Sequence, residues 1–176
     1  MSQSTTGREL LILRHAEAGW ASANSSDFDR PLNQQGLKDA PRMGQWMHDQ
    51  GLHPELILCS PAHRTKSTML TVLNKLSLAP ISVHWEERIY EAATSTLIDI
   101  IKDIPDSSRR VLLVGHNPGL ESLVLYLTGN SNSINYGFMK PATLARISIP
   151  GQWSDIGKES AQLQEIMQPQ GLPKGY

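Results

Sequence analysis

Glu9-Leu10-Leu11-Ile12-Leu13 is a short apolar run behind a single acid, and Arg14-His15 follow it at once. A continuous run of this length fits a strand buried on both faces, and such strands belong to parallel sheets covered by helices. Two further segments repeat the pattern. Leu56-Ile57-Leu58-Cys59 runs into Ser60-Pro61-Ala62-His63-Arg64-Thr65, and Val111-Leu112-Leu113-Val114-Gly115 runs into His116-Asn117-Pro118-Gly119. Each apolar run is thus followed by polar, chemically capable residues.

Helical patterns fill the spaces between these runs. Ser60-Pro61 predicts an N-cap with proline in the first turn, and Met69, Val72, Leu73 and Leu76 then share a face. Asn117-Pro118 repeats the signal before Leu120, Leu123, Val124 and Leu127, with Gly129 as the stop. Asn33 is expected to cap a helix running to Gln50, with Leu37, Ala40, Met43, Trp46 and Met47 inward and with Pro41 removing one hydrogen bond or kinking it. A fourth helix is expected over 95–104, a weak strand over 82–85, and an edge strand over 145–149 paired with a segment near 161–166. Alternating strands and helices give an α/β three-layer sandwich, a mostly parallel central sheet flanked by helices. Residues 9–167 are read as a single domain between a flexible N-terminus, 1–8, and a flexible tail, 168–176.

The composition narrows the function. The 176 residues are 39% hydrophobic and 19% charged, with 16 Lys and Arg against 17 Asp and Glu, so a core can form and no broad cationic face for nucleic acid is expected. One cysteine excludes an intramolecular disulfide framework. No apolar run is long enough to span a bilayer, and the polar start lacks a signal-peptide stretch, so a cytoplasmic protein is expected; nothing in the sequence reads out oligomeric state, and a monomer is the default expectation.

In an open parallel sheet, ligands bind beyond the carboxyl ends of the strands. That rule brings Arg14, His15, Arg64 and His116 to one rim, where two helices also present free N–H groups. The combination points to phosphate. Guanidinium forks match phosphate oxygens, a neutral histidine can attack phosphorus, and a second histidine can stabilise the equatorial oxygens. No Asp-rich motif accompanies them, so neither a metal nor another cofactor is expected.

These residues resemble a known set. Leu13-Arg14-His15-Ala16 is similar to the Arg-His-Gly motif of the histidine phosphatase superfamily, also called phosphoglycerate mutase-like. Cys59–Thr65 resembles that family's second-arginine helix, and Val114–Gly119 its second-histidine segment. Asp29-Arg30-Pro31-Leu32-Asn33-Gln34-Gln35-Gly36 resembles the Arg-Pro-Leu-(x)3-Gly stretch of the SixA branch, the phosphohistidine phosphatases. The resemblance spans about 9–129. It implies a phosphoglycerate mutase-like fold, His15 as the nucleophile of a metal-independent phosphatase, and Arg14, Arg64 and His116 as phosphoryl-binding residues. It further implies a phosphate-bearing substrate, with a histidine-phosphotransfer protein of a signal-transduction relay as the leading expectation. Ala16 stands where the family has glycine, which is tolerable unless the backbone there is left-handed. Glu91 is the candidate general acid, with Glu17 and Glu87 behind it. Arg30 is expected to bind substrate or to pin its loop, with the loop role favoured.

His48, His53 and His84 are read as structural or solvated, His63 as a helix-flank residue, Asn117 as a cap and Cys59 as a buried small hydrophobe. Trp20 and Phe28 are expected to line the site's mouth or to anchor their loop. A cysteine phosphatase needs Cys-(x)5-Arg, and the sixth residue after Cys59 is Thr65, with Arg64 one place short. A hydrolytic metal site at His15 and His116 is opposed by the adjacent arginines and lacks a helical His pair. A small-molecule phosphomonoesterase and a non-catalytic phosphate-binding module remain as alternatives.

Overall fold

In the structure, a computed structural model that describes residues 7–20, 22–77, 83–129 and 135–176, the three apolar runs form the middle of one six-stranded sheet. In chain order the elements are β1 (Arg8–Arg14), α1 (Gln34–Asp49), β2 (Leu56–Cys59), α2 (His63–Leu76), β3 (Val83–Trp85), α3 (Thr94–Lys102), β4 (Arg110–Gly115), α4 (Gly119–Thr128), β5 (Leu144–Ile149) and β6 (Gln162–Met167). Strand order is β3-β2-β4-β1-β5-β6. The first four are mutually parallel, whereas β5 is antiparallel to β1 and β6 antiparallel to β5.

The period-two geometry of strands divides the apolar residues between two cores. Leu10, Ile12, Leu56, Leu58, Val111 and Leu113 pack with α3 and α4. Leu11, Leu13, Ile57, Cys59, Leu112 and Val114 pack with α1 and α2. The sheet is therefore covered on both faces, which is why its central strands carry no polar alternation. Because β1 is followed by a helix on one face and its neighbour β4 by a helix on the other, a crevice opens between their carboxyl ends.

The helix starts are partly as expected. Asn33 caps α1, its side chain accepting from the Gly36 N–H at 2.9 Å, and the helix runs through Pro41 unbroken. Leu37 is a correction. It is 61% exposed rather than inward, because Gly36 takes the inward place and lies against the Glu17 backbone, where a Cβ would collide. Ser60 is another correction. α2 begins at His63 with Ala62 as its cap, and the Ser60 hydroxyl is turned to His116 instead. Gly129 ends α4 in the left-handed conformation, as expected.

β5 pairs with β6, but it lies between β1 and β6, so the edge strand is β6. Of the N-terminal segment expected to be flexible, 1–6 lie outside the described residues, while Arg8 already belongs to β1 and pairs with Asp106. The tail expected to be loose is held. Pro169 and Leu172 are buried, Arg42 donates to the Pro169 and Tyr176 carbonyls, and the Tyr176 hydroxyl donates to Asp49. Its two prolines and two glycines shape turns that dock onto α1 rather than free the chain.

Candidate active site

The carboxyl ends of β1, β2 and β4 converge on a cavity of about 620 Å³ lined by Arg14, His15, Arg64 and His116. All four come from the segments that follow the apolar runs. The site grows out of the sheet through backbone bonds: the His15 N–H donates to the Gly115 carbonyl and the His15 carbonyl accepts from Ala142. The Ala16 N–H donates to Thr68 Oγ1. Ala16 is not among the described residues with positive φ, so alanine stands there without strain.

His15 and His116 lie with ring centroids 5.3 Å apart. His15 Nδ1 is 2.7 Å from the Ala16 carbonyl oxygen. A carbonyl can only accept, so Nδ1 carries the proton and Nε2 keeps its lone pair. Burial, together with the charges of Arg64, Arg14 and Arg30, pushes the His15 pKa down to about 4 against the opposing pull of that hydrogen bond. The ring is neutral at pH 7. Burial, His15 and Arg64 likewise push His116 down to about 3.

Ser60 Oγ lies 2.7 Å from His116 Nε2 and also accepts from the Ala62 N–H at 3.4 Å. With the Ser60 hydroxyl donating to Nε2, the proton of His116 sits on Nδ1. Buried atoms without a hydrogen-bond partner among the described residues include His116 Nδ1, Arg14 Nε and Arg64 Nε. Three unpartnered nitrogens, two of them guanidinium N–H donors, thus belong to residues that line one cavity.

Arg14 and Arg64 are each aimed by other bonds. Arg14 Nη1 donates to the Met139 carbonyl at 2.8 Å, and burial lowers its pKa against the counter-charge of Glu121. Arg64, only 6% exposed, donates through Nη1 to the Asp27 carbonyl and through Nη2 to the Asp27 carboxylate. The Tyr90 hydroxyl donates to that carboxylate too, at 2.7 Å. Tyr90 and Arg30 bonds, with the charge of Arg64, hold Asp27 at about 2.

The remaining expectations divide. Arg30 borders the cavity, but its own bonds run to Gly19, Ala18 and Asp27, and Trp20 stacks on it at 4.3 Å, so loop-pinning describes its contacts. Phe28 stacks edge-on against Tyr90. Glu17 and Glu91 border the cavity, Glu91 exposed and at φ 53°, whereas Glu87 lies outside it. His63, His48, His53 and His84 are exposed and apart from the cavity. Cys59 is fully buried, and burial pushes its thiol up to about 12. Asn117, expected as the cap of α4, stands one place before it: the cap is Pro118 and the helix begins at Gly119, while Asn117 Oδ1 accepts from the Glu121 N–H and its Nδ2 donates to the Met139 carbonyl.

Asp27, Tyr90, Ser60 and Met139 were not anticipated as site residues. Ser60 carried a visible signal, since a serine directly after a buried strand faces the same rim as Arg64. The other three reach the site through loops without periodicity.

Comparison with known proteins agrees with this geometry. The family model for the histidine phosphatase superfamily (branch 1) matches residues 10–97. An uncharacterized protein of Mycobacterium leprae is 29% identical over 160 residues, covering 86% of this chain and 96% of its own length. The crystal structure of a candidate SixA phosphohistidine phosphatase from Agrobacterium tumefaciens superposes with a TM-score of 0.79 at 27% identity, covering 92% of this chain and 98% of that one. Phosphoglycerate mutase from Bacillus anthracis str. Sterne shares the fold, with a TM-score of 0.68 at 14% identity over 89% of this chain and 93% of its own. Matched in sequence across the segments that carry Arg14, His15 and Arg64, and in fold across nearly its whole length, the chain belongs to the histidine phosphatase superfamily and stands on its SixA-like branch.

Proposed function

We propose that this chain is a phosphohydrolase that acts through a phosphohistidine on His15 and takes its phosphoryl group from a phosphohistidine carried by another protein. The observation that carries the reading is the state of His15. Its Nδ1 proton is tied to the Ala16 carbonyl, which leaves a neutral ring with a free Nε2 under the positive field of Arg14, Arg64 and Arg30.

In the first step the Nε2 lone pair attacks phosphorus, the bond from phosphorus to the substrate nitrogen breaks, and the leaving imidazole takes a proton from solvent. Arg14 and Arg64 offer their unspent Nε–H groups, and His116 its Nδ1–H, to the phosphoryl oxygens as negative charge spreads over them. Water then attacks the phosphorus on His15, the Nε2–P bond breaks, and inorganic phosphate leaves with His15 neutral again. Charge is supplied by arginines, so the reaction needs no metal ion.

The substrate reading rests on leaving-group chemistry. Asp27 is held ionised by Tyr90, Arg30 and Arg64, which makes it a poor proton donor, and Glu91 stands exposed at the cavity edge. An imidazole leaving group can be protonated before it departs, whereas an alkoxide needs an acid in place. This favours a phosphoramidate over an alkyl phosphate, and the likeness to SixA-type proteins points the same way.

The test is an assay of chelator-treated protein on a phosphohistidine-bearing protein, with an aryl phosphate in parallel. Phosphate release with chelator present and a preference for the protein substrate are expected. Faster turnover of sugar phosphates under matched conditions would overturn the substrate assignment and favour a small-molecule phosphomonoesterase.

A further inference from the structure

Glu121 is a buried carboxylate in the first turn of α4, outside every motif that marks the site. A buried carboxylate must be satisfied by hydrogen bonds. Its partners are two backbone N–H groups of the segment leading into β5: Gly137 donates to Oε1 at 2.7 Å and Met139 to Oε2 at 3.1 Å. Met139, itself fully buried, is therefore gripped on both sides. Its N–H is held by Glu121, while its carbonyl accepts from Arg14 Nη1 at 2.8 Å and from Asn117 Nδ2 at 2.9 Å. Asn117 closes the circuit by accepting from the Glu121 N–H.

This circuit addresses a geometric problem at the end of β1. Arg14 is a long side chain whose Nε has no partner among the described residues, so the Met139 carbonyl is what fixes the direction of its fork. That carbonyl lies in an irregular segment, not in a strand, and no sheet ladder holds it. The two N–H bonds to Glu121 anchor it from the α4 side, beside the Asn117 bond to the Met139 carbonyl and a Gln168 Nε2 bond to the Phe138 carbonyl. The carboxylate also acts on Arg14 through its charge, opposing the burial that lowers the guanidinium pKa.

We propose that Glu121 is a positioning residue for Arg14: by clamping Gly137 and Met139 it sets the carbonyl that aims the Arg14 guanidinium at the phosphoryl group. The inference rests on the phosphate-site reading above. It adds that the strength of phosphate binding depends on a carboxylate that does not touch phosphate.

Calorimetric titration of inorganic phosphate into four proteins tests it: wild type, Glu121→Gln, Arg14→Ala and the double variant. Glutamine is isosteric but can accept from only one of the two N–H groups, and it turns its own N–H₂ towards the other. Glu121→Gln is expected to weaken phosphate binding on the order of tenfold, the effect of one charge-assisted hydrogen bond. Arg14→Ala should weaken it further, and the double variant should bind as Arg14→Ala alone does, because the lever has lost the arm it moves. A melting temperature measured on each protein separates lost aim from lost fold. Additive losses in the double variant, or wild-type binding by Glu121→Gln, would overturn the positioning role while leaving the phosphate site intact. Absence of phosphate binding by the wild-type protein would instead overturn the site reading, and this inference with it.

Discussion

Arg64 and Asp27 are bound to each other twice, Nη1 to the carbonyl at 2.6 Å and Nη2 to the carboxylate at 3.0 Å. The second contact is an ion pair between a buried guanidinium and a carboxylate on a loop, and Tyr90 donates to the same carboxylate. These bonds use one hydrogen on each Nη and leave Nε–H free, so they orient the fork without exhausting it. Replacing Asp27 by alanine should lower kcat/KM on the order of tenfold, mostly through a higher KM, because Arg64 loses its aim and keeps its charge. Steady-state kinetics with the two constants resolved checks this; an unchanged KM would contradict it.

Arg14 and Arg64 are each expected to matter more. Either one changed to alanine should reduce kcat/KM on the order of 100-fold, about 3 kcal/mol of transition-state stabilisation. Lysine at either place restores charge but not the planar fork, so only a small part of the loss should return. The same variants should weaken competitive inhibition by inorganic phosphate, which distinguishes phosphate binding from general damage.

The four principal residues were legible because each lies within a few places of a strand end, where period and sheet rule together fix direction. Their supports were not. Asp27 reaches Arg64 across 37 residues, Tyr90 reaches Asp27 across 63, and Met139 reaches Arg14 across 125, all from segments whose local pattern specifies no docking partner. The same limit explains Leu37. Helical period alone puts it beside Ala40, but the close approach of Gly36 to the Glu17 backbone turns the helix and leaves Leu37 outside.

The two histidines make a prediction about acid. Both are buried neutral, His15 with its pKa pushed to about 4 and His116 to about 3, below the ordinary 6.5. The unfolded chain therefore binds more protons than the folded one as pH falls below 6.5. Stability should decline from there, and the histidine contribution should level off below about pH 3, with His15 alone contributing roughly 3 kcal/mol of the decline; Asp27, held at about 2, adds its own loss below about pH 4. Urea unfolding across this range checks it, and His15→Asn should flatten the profile. A pH-independent stability between 6.5 and 4 would contradict the buried neutral state.

Cys59 offers a negative control. Its thiol is buried and pushed up to about 12, so no thiolate exists at neutral pH. Cys59→Ala should leave turnover unchanged and lower stability by about 1 kcal/mol, the effect of a small cavity. Inactivation of the native protein by a thiol alkylating agent would point to a different nucleophile.

The most direct measurement is the identity of the residue that carries phosphate during turnover. Chelator-treated protein would be mixed with a phosphohistidine-bearing substrate, quenched in alkali to preserve the acid-labile P–N bond, and mapped by mass spectrometry. The phosphoryl group is predicted on His15, and His15→Ala should show neither the adduct nor turnover. A phosphoryl group on another residue, or undiminished phosphate release by His15→Ala, would contradict the mechanism.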